Sequence, residues 1–246
     1  MKNRLTGMFV AACAVAVYVV PLVAQEPRPI VRIVRFHVKP DRVGEFRDIQ
    51  ARFTAARKAQ GTFPSRGVWR NVNNGSEYGI VTTLENYASN AGPPTMPETE
   101  FQRLVARLQQ CYDDRDIVIS TSVADLSILP ATPPNMVLTN TVTIRPGTRA
   151  KYLELRKQLV EEYKKLGVPG FGVRRVRLGG PGNTYRSWTA VDKMSDLDGP
   201  SWAAKAFEAM GEAAASKWLE ENRKIVLSNE RDIYAYEPDL SYYTAP

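Results

Sequence analysis

A chain with a single histidine has few routes to acid–base or metal chemistry, and His37 is that histidine. It could act as a general base or a metal ligand, yet no second His and no Cys stands beside it at ligand spacing. The alternative is a polar side chain lining the interior of a barrel. Asn140 lies on an otherwise apolar strand face and could hold a substrate carbonyl or an oxygen intermediate. The competing reading is an Asn at a fraying strand start that bonds local backbone. Trp188 could wall a flat pocket or fill a core. Arg35 could bind a carboxylate or snorkel from a barrel end. Tyr152, on a helical stripe, completes the candidates for a ligand pocket.

The absences narrow the chemistry further. No phosphate loop, GxGxxG, GxSxG or HExxH occurs in the sequence. With one histidine and two cysteines, most metal sites and His- or Cys-based triads are excluded. The residues call for no metal and no cofactor. Arg174-Arg175 with Arg177 is the densest basic spot and could meet an anionic ligand. The other charges are mostly interleaved with acids along helical stretches, which reads as solvated helix faces and not as a nucleic-acid surface.

The first residues differ in kind. Lys2 and Arg4 precede an uncharged run from Leu5 to Ala24, and Leu22-Val23-Ala24 offers small residues before Gln25. This is the pattern of an export signal with a cleavage site, so a periplasmic or secreted protein is expected. A retained N-terminal anchor is the alternative, because about 20 apolar residues can span a bilayer. Val10-Ala11-Ala12-Cys13 has the outline of a lipoprotein box, although more apolar sequence follows it. Cleavage would remove Cys13 and two of the charges behind the formal +7, leaving Cys111 as a lone thiol with no disulfide partner and no membrane span.

The positions that could do chemistry are set within a pattern that occurs twice. Lys39-Pro40 recurs as Arg145-Pro146, Gly61 as Gly167, Gly75 as Gly182, Tyr78 as Tyr185, Gly92-Pro93 as Gly199-Pro200 and Pro130 as Pro238. The offset drifts from 106 (145 minus 39) through 107 (185 minus 78) to 108 (238 minus 130), as expected of a duplication with slips in loops. The organisation predicted is a signal over 1–24, one unit over 25–130, a proline-rich linker over 131–135, and a second unit with a C-terminal tail over 136–246.

Each unit opens with a strand of period two: Val34, Phe36 and Val38 against Arg35 and His37, then Val142 and Ile144 against Thr141 and Thr143. Parity puts His37 with Arg35, opposite the apolar face. Proline ends each strand, and Asp41 or Thr148 is placed to cap a helix. The helical stripes are Val43, Phe46, Ile49, Phe53, Ala56 and Tyr152, Leu155, Leu159, Tyr163, Leu166, closed by Gly61 and Gly167. Hairpins follow around Asn73-Asn74-Gly75 and Gly179 to Asn183. A second helix is expected over 98–112 and over 202–222, and a last strand over 117–123 and over 224–228 with extended sequence beyond. The order β-α-β-β-α-β is the ferredoxin-like unit. The fold class predicted is α+β, two such repeats packed sheet to sheet as a barrel within one chain. Tyr234, Tyr236, Tyr242 and Tyr243 make the C-terminus aromatic, for packing or for ligand stacking.

On its strand-(Lys/Arg)-Pro-x-x-helix openings and glycine-closed first helices, over residues 30 to 130 and 136 to 238, the chain resembles the dimeric α+β barrel superfamily. That superfamily includes antibiotic-biosynthesis-monooxygenase-like and NIPSNAP-like domains. A tandem copy would build the barrel without a homodimer, so a monomer suffices. The stretch Asn140 to Thr148 also resembles the first strand of the haem-degrading members. In those, an Asn on the first strand, a Trp on the third and a His on the second helix form a site between helices and sheet. Asn140 and Trp188 match two of these; the stretch from Trp202 to Asn222 contains no histidine.

Three functions follow from these readings. The first is binding of a small, largely apolar or aromatic molecule. The second, implied by the resemblance, is a cofactor-independent monooxygenase whose phenolic or quinol substrate reduces oxygen itself. The third is a structural or partner-binding module. The resemblance implies that Asn140 and Trp188 share the helix-facing side of the sheet. The export reading has its own check: protein from the native host should begin near Gln25 outside the cytoplasm, and N-terminal sequencing that starts at Met1 on cytoplasmic material would contradict it.

Overall fold

A computed structural model describes residues 29–60, 65–88 and 96–243 of the 246-residue chain. The expectations for residues 1–24, Gly61 and Gly92-Pro93 lie outside the described residues. Eight antiparallel strands close into a barrel: β1 (Ile30–Val38), β2 (Arg66–Asn71), β3 (Glu77–Leu84), β4 (Tyr112–Ser122), β5 (Met136–Ile144), β6 (Phe171–Leu178), β7 (Thr184–Val191) and β8 (Val226–Tyr236). Around the barrel the order is β1-β3-β2-β8-β5-β7-β6-β4. Read from β4 to β2 and from β8 to β6, each half runs last, first, third, second strand. The halves meet at two seams, β2 with β8 and β4 with β6.

The helices α1 (Val43–Gln60), α2 (Glu98–Gln110), α3 (Arg149–Lys165), α4 (Trp202–Met210) and α5 (Glu212–Ile225) complete the fold. Strand parity decides what each side chain meets. On β1, Val34, Phe36 and Val38 are buried under α1, where Phe36 and Tyr78 pack on Phe46. In the other half Val142 and Ile144 are buried with Tyr152 and Leu155 of α3. Val142 and Tyr185 are register partners, and Tyr185 packs on Tyr152 with ring centroids 4.5 Å apart. Among the described residues no helix is long and apolar enough to cross a membrane.

Several local expectations change. Neither predicted helix cap forms. A 3-10 turn, Pro40–Arg42, precedes α1 with no side-chain cap, and Thr148 Oγ1 donates back to the Arg145 carbonyl at 2.7 Å instead of accepting from the helix. Gly167, by contrast, sits at φ 68° just past α3, the left-handed position at which glycine closes a helix. The single helix expected over 202–222 is two, because Gly211 at φ 79°, ψ 155° ends α4 and starts α5. β4 starts earlier than the periodicity indicates, at Tyr112, and β8 starts two residues later, at Val226, and runs on to Tyr236. Their ends, Ser122 and Tyr236, answer each other. Each is followed by a 3-10 turn, Ala124–Leu126 and Pro238–Leu240. Pro238 opens its turn where Ala124 opens the other, whereas Pro130 lies beyond the turn, so Pro130 and Pro238 do not occupy like places in the fold.

These two turns tie the halves together. Leu126 packs into the core beneath α3, and Leu240 into the core beneath α1. Glu237, at the β2–β8 seam, takes Arg47 at 2.7 Å and Arg70 at 2.8 Å. The φ and ψ of Gly211 are open only to glycine, so Gly211→Ala should cost about 1–3 kcal/mol. Gly182→Ala, where an added Cβ meets nothing within 4 Å, should change stability by less than about 0.5 kcal/mol. Urea unfolding of both variants checks this, and equal midpoints would contradict the assigned helix break.

Candidate functional site

A cleft of about 590 Å³ lies between the outer face of the second-half sheet and helices α3, α4 and α5. The Gly211 break lets α4 supply Trp202 and Phe207 while α5 supplies Trp218 and Asn222 to one wall. The floor is the helix-facing set of β5, which is Leu138, Asn140 and Val142. Asn140 Oδ1 is buried and has no hydrogen-bond partner among the described residues. A buried, unpaired amide oxygen costs about 1–3 kcal/mol, so its retention asks for a reason.

Arg156 supplies the opposite polarity. Its guanidinium lies 4.8 Å from the Tyr152 ring centroid and 5.0 Å from that of Trp218, and Nη2 donates to Asn222 Oδ1 at 2.7 Å. Its Nε is buried without a partner, and no carboxylate among the described residues pairs with it. Trp218 is itself fixed by donating from Nε1 to the Leu155 carbonyl at 2.8 Å. Arg231, the register partner of Asn140 on β8, enters from the exposed side. Burial pushes the Tyr163 phenol up to about 12 despite the nearby positive charges of Arg156 and Arg231. The site therefore has aromatic walls, an uncompensated cation and an unpaired amide. It suits a flat, largely apolar molecule carrying an anionic oxygen.

The residues picked out in the sequence part company here. Asn140 lines the cleft. Trp188 does not: Asn140 opposes Ser187, so Trp188 pairs with Thr139 and points into the barrel interior. The expected Asn–Trp pair on one face is thus corrected by one residue of register. Tyr152 is core, only 1% exposed, and acts as a platform under Arg156. Arg35 faces the barrel interior and is paired with Asp116 at 2.9 Å. His37 lies on the same parity, 42% exposed in its side chain, with Nδ1 3.8 Å from Glu77 Oε2. Among the described residues no group of three His, Cys, Asp or Glu could hold a metal ion. Arg156, Trp218, Phe207 and Arg231 were not singled out from sequence. Trp218 and Arg156 belong to helices whose pairing could not be read before the break at Gly211 was known.

No protein-family model matches the chain, and no curated protein matches it. Among solved structures it is similar to a candidate monooxygenase from Lactobacillus acidophilus NCFM, at 10% identity and TM-score 0.60 over 87% of this chain and 95% of that one. It is also similar to an anthrone oxidase-like protein, at 11% identity and TM-score 0.58 over 86% and 92%. A haem-binding protein from Thermus thermophilus matches at 10% identity and TM-score 0.51 over 86% and 92%. At these identities the likeness is one of fold alone, an α+β barrel of antiparallel strands flanked by helices. The cleft does not fit haem as that resemblance would place it. Its walls carry no imidazole, thiolate or thioether, and the only histidine stands on β1 of the other half.

The raised phenol gives a pH signature. Tyr163 is neutral in the folded chain up to about 12, whereas an unfolded tyrosine ionises near 10. Its contribution to stability is complete below pH about 10 and is lost as pH rises towards about 12. Tyr163→Phe should flatten the fall in stability across that window, read by urea midpoints at stepped pH. An unchanged slope would show that Tyr163 titrates normally.

Proposed function

We propose that this chain is an exported tandem duplicate of a ferredoxin-like unit whose second half binds a small, flat, largely apolar molecule with an anionic or ionisable oxygen. The observation that carries this reading is Asn140 Oδ1, buried and unpaired in a cleft that also contains Arg156 without a carboxylate. In the proposed complex the aromatic walls of Trp218 and Phe207 take the ring system. Arg156 and Arg231 meet the oxygen anion, and Asn140 meets a neighbouring hydroxyl or carbonyl. The corresponding strand position in the other half, Val34 (140 minus 106), is apolar and buried, so the ligand is assigned to one half only.

A second reading, cofactor-independent oxygenation of a phenol or quinol, is favoured by the same two arginines. They stabilise the deprotonated substrate, which is the form that reduces dioxygen. A phenol and O₂ then give a quinone and water, with no outside reductant and no metal. Anthrone oxidation has this stoichiometry, and one structural neighbour is described as anthrone oxidase-like.

The test uses the full chain with anthrone and with a hydroxynaphthoquinone, followed by calorimetry and by an oxygen electrode. Asn140→Leu and Arg156→Met should each weaken binding by about tenfold or more, a loss of about 1.4 kcal/mol, with little change in unfolding midpoint. Oxygen uptake with anthrone that falls in the same two variants would favour the oxygenase reading over plain binding. Binding unchanged in both variants would remove the cleft as the site.

A further inference from the structure

The barrel has an inside as well as an outside, and the inside is not packed solid. A cavity of about 320 Å³ runs within it, walled by Trp69, Trp188, Tyr234, Tyr236, Val81 and Val137. The linker prolines Pro130, Pro133 and Pro134 and the C-terminal Tyr243 complete the wall. Room is made for the indoles by glycine. A Cβ on Gly172 would stand 2.5 Å from Trp188 Nε1, and one on Gly67 would stand 2.8 Å from Trp69 Nε1. Both indoles therefore lie flat on the strand backbone, and the space in front of them stays open.

Into this apolar cavity the sheet directs two arginines side by side. Arg174 on β6 and Arg186 on β7 are direct register partners, so both leave the same face. Like charges at such a position repel, and a barrel optimised for stability would not place them there. The Arg174 side chain makes no hydrogen bond or ion pair with any described residue, and the charge that acts on it is Arg186. Arg186 Nε is buried without a partner among the described residues. Of the interior acids, Asp116 and Glu230 act on Arg186 through space, and neither bonds it. Asp116 holds Arg35 at 2.9 Å, and Asp232 stands 3.5 Å from the Asn71 amide. Burial first, and then the neighbouring Arg186 charge, push the Arg174 guanidinium down to about 10.

We infer that the barrel interior is a second binding site, distinct from the helix–sheet cleft, for a small aromatic carboxylate. Its carboxylate is held by the paired forks of Arg174 and Arg186, and its ring lies against Trp188 and Trp69. Guanidinium forks match carboxylate geometry, and two of them share one anion well. Stacking on indole supplies the rest.

The experiment titrates the full chain with naphthoate and with neutral naphthamide, following tryptophan fluorescence and the shift in thermal midpoint. Naphthoate should quench saturably and raise the midpoint, and naphthamide should do neither. Arg174→Met should weaken naphthoate binding by about tenfold or more while raising the midpoint of the ligand-free protein, because a like-charge pair is relieved. Arg186→Met gives the same pattern and stands in should the first variant not fold. The titrations are run in the Arg156→Met background, in which the cleft has lost its cation, so the signal reports the barrel interior and the two sites fail independently. The inference is overturned by either of two results in that background: naphthamide binding as well as naphthoate, or naphthoate binding intact in both the Arg174→Met and Arg186→Met variants.

Discussion

The structure depends on how a one-sided sheet hides its second face. In each half, the alternating residues of four strands are covered by helices on one face only, leaving the other face and two sheet edges unsatisfied. Closure answers both needs at once. β2 takes up β8 and β4 takes up β6, so no strand edge is left open, and the uncovered faces turn inward on each other. The seams are short, with three residue pairs between β2 and β8. They are reinforced by Glu237 bridging Arg47 and Arg70, and by the Tyr234 hydroxyl donating to Glu77. Each half also sends its terminal 3-10 turn into the other half's core.

Closure creates two kinds of space and separates them by strand parity. Residues of one parity meet helices, and residues of the other meet the barrel interior. The outer face carries Asn140 and, through α3, Arg156; the inner face carries Trp188, Arg35, Arg174 and Arg186. The outer spaces of the two halves differ as well. Where α3 carries Arg156, α1 carries Gln50, which accepts a hydrogen bond from the buried Arg66. Arg66 also donates to Thr54 at 2.6 Å and to the Leu240 carbonyl at 2.9 Å. One half thus uses its polar groups to lock the C-terminal turn in place, while the other leaves Asn140 and Arg156 facing open space.

Strand order and helix stripes were legible because period and proline are local signals. Val34, Phe36 and Val38, or Tyr152, Leu155 and Leu159, can be read without knowing their neighbours. The parity of β5 was equally plain, and it put Asn140 with Val142 correctly. The phase of β7 against β5 was not local. It is set by the hairpin and seam registers, so Trp188 went to the wrong face by a single residue. The split at Gly211 was hidden for a similar reason. Glycine inside an apolar stripe is compatible with a continuous helix until its φ is known. The lone histidine drew attention as chemistry and turned out to stand at the barrel end beside Glu77, away from both cavities.

Native mass spectrometry of the full chain purified from its own host bears most directly on the claim that the second-half cleft holds a small aromatic anion. The expected result is a complex heavier than the polypeptide by one small organic molecule, which dissociates from Arg156→Met under conditions where the parent protein retains it. A bare polypeptide mass, or an adduct with the mass of haem, would contradict that claim.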